Sequence, residues 1–311
     1  MKSDLVVTVS VLTYNSSKYV LETLESIKAQ TYQPLILQIC DDCSTDNTVK
    51  ICKKWIEKNK DRFIKTKVII PEHNTGISAN LNRGMDACET EWLKTIAGDD
   101  ILKPNCIEEY VSYINSHPKM VVAFSRIEIF GPTKEIIDSF NKFANDSYLF
   151  FEIPSAEEQY ESLLMNGNSV LAPTAFFNVK LLRQLNIRAD ERIPLLEDYC
   201  MWLNLTKKNI KLHFIDKTLV RYRVGEGGLS SGSGSINLKY QESVRLLYFY
   251  YIFPALFERN PDLAIKRSVD YEISLWRDIQ SIQNSPSYLL GSFILKPLVF
   301  IVSFIKKLVA F

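Results

Sequence analysis

An α/β fold built on a largely parallel, doubly wound sheet is predicted by three features of this 311-residue chain. Apolar stretches of strand length alternate with amphipathic stretches of helical length through residues 1–100. Each of those strand-like stretches ends in a polar cluster. The composition, 46% hydrophobic and 23% charged, is that of a globular chain able to bury a substantial core.

Leu5 to Leu12 is Val-rich and nearly free of charge, the pattern of a buried strand. Thr13-Tyr14-Asn15-Ser16-Ser17 breaks it, and Ser17 is placed to cap a helix from about Lys18 to Gln30 with Val20, Leu21, Leu24 and Ile27 on one face. Leu35 to Ile39 is the second strand and ends at Asp41-Asp42. Ser44-Thr45-Asp46-Asn47 offers caps for a helix over Thr48 to Asn59. Lys67 to Ile70 is the third strand, followed by Asn74-Thr75-Gly76 and a helix from about Ile77 to Cys88. Trp92 to Ala97 is the fourth and delivers Asp99-Asp100. In open α/β sheets ligands bind outside the carboxyl ends of the strands, so four polar clusters at that edge point to a nucleotide site.

The pair Asp99-Asp100 carries the most chemistry. Adjacent carboxylates at the end of a buried strand repel one another and resist desolvation, and a hard divalent cation relieves both penalties. A pair of exposed turn aspartates is the alternative, since Gly-Asp favours turns. A net charge of +1 gives no electrostatic case for a nucleic-acid partner. The six cysteines lie mostly in apolar or helical patterns. Cys40 and Cys43 have CxxC spacing, but with only His73, His117 and His213 the usual zinc ligand sets are not assembled. Met1-Lys2-Ser3-Asp4 leads directly into a strand with no signal peptide, and reduced thiols in a cytosolic compartment are expected. Neither GxGxxG after the first strand nor GxxxxGK[ST] occurs, which disfavours dinucleotide cofactors and P-loop chemistry.

Five segments together resemble the family 2 glycosyltransferases of the GT-A fold, especially bacterial enzymes that build surface polysaccharides such as capsule or O-antigen. They are Ser10–Asn15, Asp41–Thr48, Asn74–Asn82, Gly98–Asp100 and Leu196–Tyr199, in the family's order across about two-thirds of the chain. The resemblance implies a GT-A domain over 1–225, with a nucleotide-sugar half (1–100) and an acceptor half (101–225). It implies a nucleotide-diphospho-sugar donor, a divalent metal (Mn or Mg) and inverting transfer to an acceptor hydroxyl. Carried over by position, Thr13, Tyr14 and Asn15 line the nucleotide pocket, and Asp41 or Asp42 accepts a hydrogen bond from base or ribose. Asn82 and Arg83 stand near donor phosphate or sugar, Asp99 ligates the metal, Asp100 lies by the donor sugar, and Asp198 is the base with Glu197 beside it. The chain departs from the family at Ala97, where the acidic triplet often begins with Asp, at Cys43 for a turn glycine, at Asn80 for a common Arg, and at Gly225 for a common His. These departures weaken the expected metal site.

The second half reads less regularly. A helix (Cys106 to Ser116) and a strand (Met120 to Arg126) precede a polar, aromatic-rich stretch from Phe140 to Ile153. Tyr148, Phe150 and Phe151 there suit either sugar stacking or ordinary packing. Ser169 to Phe177 reads as a strand bent at Pro173. Glu197-Asp198 opens an apolar helix, where one acid is often a cap, but an embedded pair suits proton abstraction. Arg221 and Arg223 are candidates to neutralise a leaving diphosphate. They precede the Gly/Ser-rich run 226–235, which reads as a lid or a plain linker. Helices from Ile236 to Phe257 and Asp262 to Ile282 form a C-terminal extension through 311. Its end, 288–311, is apolar but broken by Gly291, Lys296-Pro297 and Lys306-Lys307, which favours a kinked interfacial anchor over a span, with burial against the domain as the alternative.

The sequence thus predicts a cytoplasmic enzyme peripheral to the inner face of the plasma membrane. It would move a hexose or N-acetylhexosamine from a nucleotide sugar, UDP by resemblance, to a lipid-linked saccharide or polysaccharide. A sugar nucleotidyltransferase is one rival, but Thr13-Tyr14-Asn15-Ser16-Ser17 lacks the cation such an enzyme needs after its first strand. A catalytically inactive sugar-binding scaffold, suggested by Ala97 and Gly225, is the other.

Overall fold

The computed structural model describes residues 5–225 and 238–283. The expected lid (226–235) and anchor (288–311) lie outside the described residues.

The first part of the chain, through Ala97, follows the predicted alternation. Strand β1 (Val7–Thr13) leads to helix α1 (Val20–Lys28), β2 (Leu35–Asp41) to α2 (Thr48–Asn59), and β3 (Lys65–Ile69) to α3 (Ile77–Ala87) before β4 (Trp92–Ala97). Each crossover returns the chain parallel to its predecessor, so β3, β2, β1 and β4 pair in that order, all parallel. Beyond them come β5 (Ile101–Leu102), α4 (Cys106–Ser116), β6 (Val122–Phe130), α5 (Lys134–Tyr148), α6 (Ala156–Asn166), β7 (Phe176–Asn178), α7 (Val179–Gln184), α8 (Glu197–Lys207) and β8 (His213–Arg223). β7 adds antiparallel to β4 and β6, β8 runs parallel to β6, and the eight-stranded mixed sheet ends at β5. The described C-terminal helices are α9 (Leu238–Leu247), α10 (Phe253–Arg259) and α11 (Pro261–Gln283), with a π-helical turn at Tyr248–Ile252 before Pro254.

Two apolar layers sandwich the sheet, because successive strand residues face opposite sides. Val7, Val9, Val11, Trp92 and Phe176 join Leu24, Ile27 and Tyr110 on one face. Leu93, Phe124 and Phe177 join Leu163, Trp202 and Leu256 on the other. Trp92, Phe176 and Tyr110 stack in series, with ring centroids 5.3 and 4.7 Å apart.

Three expectations are corrected, and one strand was not anticipated. Ser17 does not cap α1; its backbone N–H donates to Asp46 Oδ2 instead, and the helix begins after Tyr19. The stretch Phe140 to Ile153 is largely helical: Thr133 caps α5, and Ile136, Phe140, Ala144 and Tyr148 recur every fourth residue against the core. The strand expected over Ser169 to Phe177 shrinks to Phe176–Asn178, because Pro173 sits in a 3₁₀ turn at Ala172–Thr174. β8 escapes the sequence reading because a bulge shifts its register between Ile215 and Thr218, interrupting the alternation.

Candidate active site

The strand order reverses direction at β1: β2 and β3 lie to one side, β4 to the other. A crevice opens outside the carboxyl ends at such a switch point. There Gly98 N–H donates to Leu12 O (2.9 Å) and Asp42 N–H to Thr13 O (2.9 Å), drawing three strand ends together. A Cβ at Gly98 would stand 2.7 Å from Thr13 Cγ2 and 2.9 Å from Ser16 Oγ, so only glycine lets the β4 loop approach the β1 loop.

The carboxylates after β2 are saturated by this loop layer. Asp41, fully buried, accepts from Thr13 Oγ1 (2.8 Å), Ser44 N (2.8 Å) and Ser44 Oγ (2.6 Å). Asp42 accepts from Thr75 Oγ1 (2.6 Å), Gly76 N (2.7 Å) and Thr75 N (3.1 Å), with Arg83 Nη1 3.5 Å away. Arg83 also donates to Asn80 Oδ1 and Thr75 Oγ1. Asn15, at φ 50°, accepts Thr45 N–H on Oδ1 and donates its own N–H to Ser44 Oγ. Tyr14 beside it is half exposed at the rim. Asn82 turns inward, exchanging hydrogen bonds with both backbone groups of Ala189 and donating to Glu191 Oε1.

The carboxylates after β4 are treated differently. Asp100 Oδ1 accepts Arg223 N–H (2.9 Å), but Oδ2 is buried and has no hydrogen-bond partner. Burial and then the neighbouring Asp99 push the Asp100 carboxyl well above the usual range. Burial also raises Asp99, which keeps partial exposure. Arg223 donates Nε–H to Asp99 O (2.9 Å) and Nη2–H to Glu22 Oε2 (2.7 Å), with its guanidinium over Tyr19 and Phe130. Arg221 donates to Glu128 Oε1 (2.7 Å) along the sheet. A buried, unpartnered oxygen next to a second raised carboxylate fits a hard cation that takes its remaining ligands from a diphosphate and water. No group of three or more His, Cys, Asp or Glu that could hold a metal occurs among the described residues.

The chain segments on either side of the base candidate's loop are fastened to the sheet and to α3. β7 pairs Phe176 opposite Lys94, so the preceding residues run past Lys94 toward the end of β4. Lys94, fully buried, fastens them by donating Nζ to Thr95 O and Pro173 O (2.7 Å each) and Ala175 O (3.2 Å). From the other side, Ser78 Oγ at the start of α3 donates to Ile193 O (2.8 Å), fixing the loop that enters α8. Glu197 and Asp198 open that helix. Asp198 Oδ1 accepts Tyr199 N–H (2.7 Å) and Oδ2 accepts Asn168 Nδ2–H (2.9 Å). Burial raises both carboxyls, and with the Asp198 charge beside it Glu197 rises to about 8. The two share their titration. Asn168 was missed by sequence reasoning; Gly167-Asn168 after an amphipathic stretch was its available signal.

A nucleotide-type crevice followed by a paired acid on a later helix is an order that family comparison can test, and the family model described as glycosyl transferase family 2 matches residues 8–185. The chain belongs to glycosyl transferase family 2. An uncharacterised glycosyltransferase of Haemophilus influenzae is 25% identical over 232 residues, 74% of this chain and 69% of its own length. Glycosyltransferase GlyG of Streptococcus pneumoniae is 31% identical over 116 residues, 37% of each chain. Among solved structures, S. aureus TarS 1-349 in complex with UDP-GlcNAc superposes with a TM-score of 0.57 at 22% identity, covering 78% of this chain and 65% of that one. A longer TarS chain is spanned only to 39%. The mannosyltransferase PcManGT of Pyrobaculum calidifontis, in complex with GDP-Man and Mn2+, gives 0.54 at 14% identity, covering 94% and 84%. The sheet and its flanking helices form a GT-A glycosyltransferase fold. Among the described residues no helix is long and apolar enough to cross a membrane.

Proposed function

We propose that this family 2 glycosyltransferase moves a hexose or N-acetylhexosamine from a nucleoside diphosphate sugar to a hydroxyl of a lipid-linked saccharide or polysaccharide, with inversion. UDP is the favoured nucleotide. The reading is supported by a carboxylate pair after β4 with one buried, unpartnered oxygen (Asp99, Asp100) and by an acid at the start of α8 that holds a donor on each oxygen (Asp198).

In this reading Thr13, Tyr14 and Asn15 border the nucleotide, while Asp41 and Asp42 hold the loops that shape its pocket. Arg83 lies on the phosphate side, and Asn82 fixes the loop behind it. Asp99, with Asp100 behind it, would hold Mn or Mg. When bound, the cation neutralises the diphosphate. Asp198 takes the acceptor proton as the hydroxyl oxygen bonds to the anomeric carbon from the face opposite the diphosphate. The bond to the leaving phosphate oxygen breaks and its electron pair departs with the nucleoside diphosphate. A raised carboxyl, once ionised, is a stronger base than a solvated one, which suits this step. Burial and the neighbouring Asp198 charge push Glu197 up, which favours its neutral form beside an ionised Asp198. Membrane association through 288–311 remains part of the proposal.

Thermal-shift screening of UDP- and GDP-sugars with and without manganese tests the donor and metal assignments together. Stabilisation by a UDP-sugar that needs manganese, and that Asp99→Asn abolishes, is expected. No shift with any nucleotide sugar, in either condition, refutes the reading and leaves an inactive scaffold.

A further inference from the structure

The turn between α6 and β7 performs a task that neither the family assignment nor the catalytic reading gives it. α6 is followed by Gly167, whose φ of 86° favours glycine, and a Cβ there would meet nothing within 4 Å. The reversal is therefore a backbone device, and it delivers the next residue, Asn168, to the start of α8. The Asn168 amide is held at both ends. Its Oδ1 accepts Val170 N–H (2.9 Å), which fixes which end of the amide is oxygen, and its Nδ2 donates to Asp198 Oδ2 (2.9 Å). Tyr199 N–H takes the other carboxylate oxygen (2.7 Å). Asp198 thus has one donor on each oxygen, and its carboxylate plane is fixed by two separate chain segments.

We propose that Asn168 is the positioning residue of the transfer reaction, aiming the Asp198 carboxylate at the acceptor hydroxyl. The inference rests on the reading of Asp198 as base. The donor character of the amide is what matters: an aspartate at 168 preserves the acceptor for Val170 N–H but turns the donor end into a second acceptor. Burial opposes the Asp198 charge, and the hydrogen bonds from Tyr199 and Asn168 favour it. The groups that face the pair lie on α8 itself: Glu197, then Tyr199 and Cys200, both pushed up by burial, and the Trp202 indole, which also favours the Asp198 charge. Asn168, in the turn after α6, is the donor to Asp198 from outside α8, and its removal leaves those neighbours in place.

The test compares Asn168→Ala, Asn168→Asp and Asp198→Asn with wild type in UDP release from UDP-N-acetylglucosamine and UDP-glucose across pH. The carboxyl carbon of Asp198 is followed by NMR in selectively labelled protein without any donor. Asn168→Ala is expected to lower kcat about tenfold, leave KM for the donor within about twofold, and move both the acid limb and the NMR midpoint upward. Asn168→Asp should move them further, with a melting temperature that does not track the loss. An unmoved NMR midpoint in both variants overturns the proposal whether or not a donor is turned over. A full loss in Asp198→Asn with no effect of Asn168→Ala overturns it while sparing the base. Full turnover by Asp198→Asn overturns the base reading itself.

Discussion

The two halves of the crevice use the same residue type for opposite ends. After β2, Asp41 and Asp42 are surrounded by donors: three hydrogen bonds reach Asp41, and Asp42 takes Thr75 and Gly76 with Arg83 close by. After β4 and at the start of α8 the carboxylates hold fewer donors: two reach Asp198, and one oxygen of Asp100 has none. A saturated carboxylate has little left to offer a ligand and serves as a knot between loops. A starved one is held at a cost in desolvation that a cation or a proton can relieve. Adjacent acids in a sequence look alike; their donor count separates anchors from reactive groups.

The widest separation between the two classes is expected from Asp198→Asn against Asp42→Ala. Asp198→Asn should lower transfer by about 10²–10⁴-fold with donor binding and melting temperature near wild type. Asp42→Ala should do the reverse on stability, leaving Thr75 N–H, Thr75 Oγ1 and Gly76 N–H without their acceptor at about 3 kcal/mol. Denaturant unfolding reads the second and donor turnover the first. A stable Asp42→Ala protein that loses only donor binding would erase the contrast.

Gly98→Ala probes the seam between the halves. The added methyl meets Thr13 and Ser16 below contact distance, so about 1–3 kcal/mol of destabilisation is expected. Donor binding should weaken along with it, because Thr13 also donates to Asp41. Unchanged stability and donor affinity would mean that the loops part without consequence.

How much of this was readable beforehand follows the same divide. The β1 to β4 half was legible because its strands are short and largely apolar and alternate with helices that have one apolar face; α2 and β4 match to the residue. Beyond residue 100 the reading was mixed: α4 matches to the residue and β6 and α8 stand where expected, but two elements were hidden for local reasons. The register shift in β8 hides a strand, and α5 carries enough polar residues to pass for a loop. At the site, the acids could be named but not sorted. That Asp42 is tied to Thr75 and Gly76, or that Asp198 meets Asn168 thirty positions earlier, is a long-range fact. The cation expected of Arg223 illustrates the limit: sequence placed it near the acids, but only packing shows its guanidinium backing the Asp99 carbonyl and Glu22.

The finest discrimination lies within the reactive class, between Glu197 and Asp198. Glu197 rises from an ordinary 4.5 to about 8, through burial first and the Asp198 charge second. Its folded form therefore holds a proton that the unfolded chain has released across that window. The sign follows: stability from this group is complete below pH 4.5 and is lost as pH climbs through about 8. Glutamine keeps the neutral form at every pH. Glu197→Gln should accordingly match wild type in melting temperature at pH 5, exceed it at pH 9, and flatten the slope between. Transfer at neutral pH should fall far less than in Asp198→Asn, since Glu197 is already neutral there and Asp198 keeps both its donors. Parallel melting curves for the two proteins across the range would show that Glu197 ionises freely. A loss of transfer equal to that of Asp198→Asn would make Glu197 a partner in the proton transfer.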